Sequence, residues 1–145
     1  MIKRKSAAVW QGNLKDGSGS LELGSGAFKG QYSFTSRFED GVGTNPEELI
    51  GAAHAGCFSM AFSADLSNAG YTVDEVKTEA IVSMEKGEAG FTITGVKLVT
   101  KARVRDIEME EFAKLATGAK QNCPVSRALA AVDIQLEAHL LRLVA

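Results

Sequence analysis

The sequence has 145 residues, of which 45% are hydrophobic and 23% charged, the proportions of an ordinary globular domain. Its formal net charge is −2 with no block of like charges, which argues against nucleic-acid binding. No apolar run approaches about 18 residues, and the basic start at Met1–Ser6 is not followed by a signal-peptide core, so we expect a cytoplasmic protein that spans no membrane.

The N-terminal third of the chain predicts short β-strands. Ala7–Trp10 and Ser20–Leu23 flank a glycine-rich connection of the kind that joins two strands of a hairpin. Gln31–Phe38 places aromatic residues at alternate positions, the period of a half-buried strand. In such a strand Arg37 would lie on the face opposite the aromatic side chains. Residues 39–45 are expected to form a loop.

A long helix is predicted to begin at Pro46 and to end near Asn68. Thr44 or Asn45 can cap its start, and proline suits the first turn. The two glutamates after the proline favour the positive end of the helix dipole. Apolar residues cover almost the whole circumference, which predicts a helix that is buried on all sides.

The second half of the chain predicts a hairpin, two helices and a last strand. The elements are strands at Tyr71–Met84 and Phe91–Val104, a helix at Asp106–Thr117, a short helix from about Cys123 and a strand at Val132–Leu140. Within the second strand the alternation changes phase at Gly95, which predicts a bulge. We therefore expect one α+β domain over residues 1–145, in which a long central helix packs against antiparallel sheets.

The two cysteines, Cys57 and Cys123, have different chemical surroundings. A cysteine in the middle of an apolar helix is most simply a small hydrophobic residue, and a thiolate there needs a cation nearby. Cys123 precedes Pro124, which predicts it as an N-cap residue whose sulfur faces free backbone N–H groups. Local chemistry makes Cys123 the better nucleophile, and a capping role without chemistry explains its position equally well.

Other interpretations involve the two histidines, His54 and His139. His54 lies three residues before Cys57 on the same helix face, where the two could form a nucleophile and its base. A structural histidine packed against the helix explains that spacing better. The cysteines and histidines have no metal-ligand spacing, and no glycine-rich loop joins a strand to a helix, so neither a metal site nor a cofactor site is predicted.

Three segments together resemble the OsmC/Ohr family, and more closely its OsmC (osmotically inducible protein C) branch. They are Thr44–Met60 (TNPEELIGAAHAGCFSM), Cys123–Ser126 (CPVS) and Ser36–Glu39 (SRFE), and the resemblance extends from Trp10 to the last strand. It implies an OsmC-like fold in which two chains form an intertwined homodimer. Two central helices would be wrapped by sheets, and two active sites would lie at the subunit interface.

The resemblance also implies a thiol-dependent peroxidase of oxidative and osmotic stress defence. Such an enzyme reduces organic hydroperoxides, and hydrogen peroxide less well, without haem, flavin or metal. By motif position Cys57 is the peroxidatic cysteine and Cys123 the resolving one, and an external dithiol, such as a lipoyl-bearing protein, restores both thiols. Arg37 would supply the cation that a Cys57 thiolate needs, and Glu47 would orient the guanidinium group by a bidentate pair.

The spacing of Glu47 and Cys57 bears on where such a site is built. The two residues are ten positions apart, about 15 Å along a straight helix, so Glu47 can hardly touch Cys57 of its own helix. An antiparallel helix related by a two-fold axis could bring Glu47 of one subunit near Cys57 of the other. We therefore expect an obligate dimer with composite sites. Its apolar pocket would draw on Phe34, Phe58, Met60 and Phe62. Two other hypotheses are a non-catalytic dimer that binds a small apolar ligand, and a structural dimer whose cysteines only pack.

Overall fold

The computed structural model describes residues 1–142, which divide into two compact units, Met1–Leu49 and the residues from Ile50 onward. The first unit holds a three-stranded sheet in chain order. Its strands, each antiparallel to its neighbour, are β1 (Ser6–Gln11), β2 (Ser18–Leu23) and β3 (Lys29–Tyr32). The two predicted strands at the start of the chain are confirmed.

The prediction of a single strand from Gln31 to Phe38 is wrong beyond Tyr32, because a short helix, α1 (Phe34–Phe38), follows β3. The side chain of Ser33 accepts from the N–H of Ser36 at 3.2 Å, and Ser36 Oγ accepts from the N–H of Ser33 at 2.8 Å. This reciprocal capping box begins a helix. Phe34 and Phe38 share one face of a helix as well as of a strand, so their spacing could not decide between the two.

The long helix α2 spans Pro46–Asn68, as predicted, and the unit boundary falls within it. Asn45 caps it, since its side-chain oxygen accepts from the N–H of Glu48 at 2.8 Å. One side of α2 is buried through Phe58, Phe62 and Leu66. The acidic first turn and the cap together explain why the helix begins where the sequence predicts.

The opposite side of α2 is exposed, so the prediction of burial on all sides is wrong for the single chain. Met60 is 77% exposed, and a side chain at Gly56 would meet open space. Ala52, Ala53 and Ala64 continue this exposed face. By length and composition α2 also meets the requirement for a membrane span, contrary to the sequence expectation, although core helices of soluble proteins meet the same requirement.

The second unit contains a three-stranded sheet of β4 (Val73–Gly87), β5 (Gly90–Val104) and β6 (Asp133–Leu141). Strands β4 and β5 form the predicted hairpin. Ser83 pairs with Gly95 but Met84 pairs with Ile93, so the bulge lies next to the predicted position, at Thr94. Strand β6 runs parallel to β5, so the prediction of purely antiparallel sheets is wrong for this pair.

The parallel pairing follows from the helical connection between β5 and β6. That connection consists of α3 (Met109–Asn122) and α4 (Pro124–Ala128). Helix α3 begins and ends later than predicted, and Gly118 lies inside it rather than at its end. Its end is set at Cys123, because a residue before proline is disfavoured in the helical conformation.

The core of the second unit joins α2 to α3 through aromatic side chains. The ring centroid of Phe62 lies 5.6 Å from that of Phe58 and 5.2 Å from that of Phe112, and all three side chains are fully buried. Apolar residues of β5, including Leu98, belong to the same cluster. The face of α2 that carries Phe62 therefore packs in the core and stabilises the fold.

Replacing Phe62 by alanine should lower the free energy of unfolding by about 3–5 kcal/mol, because the lost side chain leaves a cavity among rigid neighbours. Urea unfolding followed by circular dichroism, at one fixed protein concentration, measures the effect. Met109 is 54% exposed and serves as the control; Met109→Ala should change the free energy by about 0.5 kcal/mol or less. Equal effects of the two substitutions would contradict this description of the core.

Candidate active site

The structure brings the two cysteines together within the second unit. Cys57 lies on α2 and Cys123 at the start of α4, and their sulfur atoms are close enough to share a hydrogen bond. Both thiols are free. Cys123 is fully buried, whereas Cys57 is half-buried. Of the two sulfur atoms, Cys57 is thus the one that an incoming molecule can reach.

The surroundings of Cys123 confirm the predicted N-cap. Its backbone is extended, and Pro124 occupies the first turn of α4. The Sγ atom accepts from the N–H of Ser126 at 3.3 Å, and it lies 3.3 Å from the hydroxyl oxygen of the same residue. The start of α4 therefore directs the backbone N–H of Ser126 at this sulfur atom.

The two thiols have different acidities in the single chain. Burial raises the pKa of the Cys57 thiol, and the neighbouring Cys123 raises it further. Burial alone would also raise the pKa of Cys123, but hydrogen bonds from Ser126, Cys57 and Val125 bring it below its ordinary value. This order agrees with the expectation from local sequence. Within residues 1–142, no cation contributes to the shift at Cys57.

Arg37 and Glu47 form an ion pair within the first unit. The Nη2 atom of Arg37 donates to Glu47 Oε1 at 2.7 Å, and its Nε atom lies 3.1 and 3.2 Å from the two carboxylate oxygens. The Glu47 side chain is 10% exposed and that of Arg37 35%. The guanidinium group also lies over the ring of Phe38, 5.2 Å from its centroid. The carboxylate and the ring hold the guanidinium in one orientation while leaving part of it accessible.

An apolar cavity of about 220 Å³ lies beside Arg37 in the first unit. It is lined by Trp10, Leu14, Tyr32, Ser33, Phe34, Arg37 and Phe38. Of the predicted pocket residues, only Phe34 lines it. Phe58 and Phe62 are fully buried in the core, and Met60 lies on the exposed side of α2. The tilted stacking of Trp10 on Tyr32 across the sheet, at 5.2 Å, could not be inferred from sequence.

His54 is fully buried and contacts Ser126, which in turn contacts Cys123. Its Nε2 atom lies 2.8 Å from Ser126 Oγ, so the structure pairs His54 with Ser126 and not with Cys57. Burial lowers the pKa of the imidazole. Ser126 was missed by sequence reasoning, although it stands three residues after the N-cap Cys123, where a backbone N–H meets the capping side chain.

Comparison with known proteins identifies a matching family and several similar proteins. The model of the family described as OsmC-like protein matches residues 38–137. The chain is 46% identical over 140 residues to Peroxiredoxin OsmC of Escherichia coli (strain K12), which covers 94% of this chain and 98% of that protein.

Two further matches concern the organic hydroperoxide resistance protein OhrB of Bacillus subtilis (strain 168). Its sequence is 33% identical over 101 residues, or 68% of this chain and 72% of OhrB. The crystal structure of Bacillus subtilis OhrB superposes with a TM-score of 0.72 at 27% identity, covering 92% of this chain and 97% of that chain.

Proposed function

This chain belongs to the OsmC-like protein family and has the α+β fold of OsmC and Ohr structures, and we propose that it reduces organic hydroperoxides, and hydrogen peroxide less well, as a two-cysteine thiol peroxidase in oxidative and osmotic stress defence. The names of its relatives support a peroxidase-like role. The observation that carries the proposal is the contact between a half-buried Cys57 thiol and a buried Cys123 thiol on different helices.

The proposed reaction has three steps. The Cys57 thiolate attacks one peroxide oxygen, the O–O bond breaks, and the departing alkoxide takes a proton to become the alcohol, leaving a sulfenic acid on Cys57. The Cys123 sulfur then attacks the Cys57 sulfur; an S–S bond forms, the S–O bond breaks, and water leaves. An external dithiol, for which we propose a lipoyl-bearing protein, supplies two electrons and two protons that restore both thiols.

We propose that the active site is completed by a second copy of the chain, in an intertwined homodimer with its sites at the subunit interface. A mid-helix thiolate needs a cation. The partner subunit would supply it as its Arg37, oriented by the Glu47 of that same subunit. The exposed, small-residue face of α2, with Gly56 open and Met60 uncovered, supports close packing of a second α2 helix there. Residues 1–145 would act as one domain in the cytoplasm, where two free thiols persist.

The cavity beside Arg37 supports a preference for apolar peroxides. Its aromatic lining would hold the hydrocarbon part of an alkyl or lipid hydroperoxide while the guanidinium meets the peroxide oxygens. Burying apolar surface contributes about 25 cal/mol per Å², a gain that a small polar peroxide lacks. The same cavity favours the alternative of a dimer that binds a small apolar ligand without any reaction.

Treatment with one equivalent of cumene hydroperoxide should remove both thiols of each chain and create a Cys57–Cys123 disulfide. Thiol counting and peptide mass mapping measure these outcomes. In Cys123→Ser the same treatment should leave a sulfenic acid on Cys57 that a dimedone probe traps, with no intrachain disulfide. Thiols that persist in the wild-type protein would sink the peroxidase proposal and favour a binding protein or a structural dimer.

A further inference from the structure

His54 has an unsatisfied polar atom in a fully buried position. Its Nε2 atom contacts Ser126, but its Nδ1 atom has no hydrogen-bond partner among the described residues. A buried nitrogen without a partner loses its hydration and gains nothing in exchange, so such atoms are uncommon in folded proteins. An apolar side chain of similar size would avoid that cost. The histidine therefore calls for an explanation other than packing.

The explanation lies in a chain of polar atoms that runs from His54 to a cysteine. His54 Nε2 lies 2.8 Å from Ser126 Oγ, which lies 3.3 Å from Cys123 Sγ. A serine hydroxyl has one hydrogen to donate, so when the thiol of Cys123 donates to Ser126, the hydroxyl donates onward to Nε2. An Nε2 atom that accepts requires the hydrogen of a neutral imidazole to be on Nδ1, the atom without a partner.

We propose that His54 is a positioning residue that accepts, through Ser126, the proton of the Cys123 thiol when Cys123 resolves the sulfenic acid of Cys57. This inference rests on the proposed peroxidase function. The S–H proton moves to Ser126 Oγ as the hydroxyl proton moves to Nε2. The thiolate attacks the Cys57 sulfur, an S–S bond forms and the S–O bond breaks. The departing hydroxide takes a proton from solvent and leaves as water. His54, which no longer lies near a thiolate, releases the accepted proton to solvent, so one thiol and one sulfenic acid become one disulfide and one water.

The surroundings suit a transient acceptor. Burial lowers the pKa of the imidazole, so His54 is neutral at rest and Nε2 is free to accept. Once transferred, the proton is held on His54 only while the negative charge of the Cys123 thiolate stabilises the imidazolium. The other titratable groups near Ser126 are the thiol of Cys123 and the thiol of Cys57, which lies on α2 like His54. Cys123 is fully buried and cannot lose its proton directly to water. A relay through Ser126 gives that proton a short path.

The test titrates Cys123 in Cys57→Ser protein, where it is the sole remaining cysteine. Thiolate absorbance at 240 nm is followed against pH, with the variant lacking both cysteines as the blank. The second substitution, His54→Gln, keeps an amide that can hydrogen bond but cannot take a proton. It should raise the apparent pKa of Cys123 by about one unit, so that about tenfold less thiolate is present at a given pH. A titration like that of the parent would overturn the proposal.

Two controls make the result specific. His139 is exposed and bonded to Glu137, so His139→Gln should leave the titration unchanged. Ser126→Thr keeps a hydroxyl and should titrate near the parent. Ser126→Ala should raise the apparent pKa of Cys123 at least as much as His54→Gln, because it removes the hydroxyl beside the sulfur as well as the link to His54. The titration uses no peroxide, so an inactive enzyme would refute the proposed function without changing this readout.

A second measurement needs no variant and applies even where His54→Gln does not fold. Nitrogen-15 NMR of the wild-type protein labelled at histidine reports the tautomer of each ring, with the exposed His139 as the reference. We expect the hydrogen of neutral His54 on Nδ1. A hydrogen on Nε2 would make His54 a donor to Ser126 and would refute the relay.

Discussion

Replacing Cys57 by serine should lower hydroperoxide turnover by roughly three orders of magnitude or more, the scale on which enzymes lose activity without their nucleophile. A serine hydroxyl is not ionised at neutral pH and cannot form a sulfenic acid. The measurement is consumption of cumene hydroperoxide with a dithiol such as dihydrolipoamide as reductant. Serine is close to cysteine in size, so the fold should persist, which circular dichroism checks.

Cys123→Ser is the matched variant, and it should behave differently. Its Cys57 should still react with one equivalent of peroxide at a rate near that of the wild-type protein, while sustained turnover with the dithiol falls. The reverse pattern, with turnover surviving in Cys57→Ser and the first oxidation lost in Cys123→Ser, would exchange the roles of the two cysteines. The comparison therefore tests the assignment as well as the presence of thiol chemistry.

The reverse assignment has a physical basis, because Cys123 is the more acidic thiol in the single chain. Access argues for Cys57: its side chain is half-buried, whereas Cys123 is fully buried and cannot meet a peroxide without a rearrangement. An opposite charge within about 4–6 Å lowers a pKa by about 1–3 units. A guanidinium group of a partner subunit would therefore oppose the burial that raises the pKa of Cys57.

Features set by local sequence were predicted well. The proline and acidic turn at Pro46 fixed the start of α2, and Pro124 fixed both the N-cap at Cys123 and the end of α3. The strand expected at Phe34–Phe38 failed because residues four apart share a face in either element, while the decisive signal was the side-chain pair of Ser33 and Ser36. Local capping overrode the aromatic alternation there.

Features that depend on distant contacts could not be predicted. The parallel β6, the burial of one side of α2 and the contact of His54 with Ser126 all require the packed chain. The motif resemblance supplied Arg37 and Glu47 as a pair, but not the short helix from which Arg37 reaches the carboxylate. The sequence identified the residues that can react, but the contacts between them depend on the tertiary structure.

A mixed dimer of Arg37→Ala and Cys57→Ser chains should regain activity that neither variant has alone. If each site takes Arg37 from one subunit and Cys57 from the other, one of the two sites in this dimer has both residues intact. Co-expression with two different tags and sequential affinity purification isolates the mixed species. We expect about half the wild-type turnover per dimer, against a loss of about tenfold or more for the Arg37→Ala homodimer, whose Cys57 lacks its cation.

The matched control places both substitutions in one chain and pairs it with a wild-type chain. In a composite arrangement each of its sites lacks either Arg37 or Cys57, so this dimer should be nearly inactive. If each subunit instead built its own site, the wild-type chain would retain its activity, and the first mixed dimer would regain none. The two arrangements thus give opposite results in the two dimers, and the comparison holds the number and kind of substitutions constant. Half-activity in the control dimer would refute the composite site, whatever the activity of the homodimers.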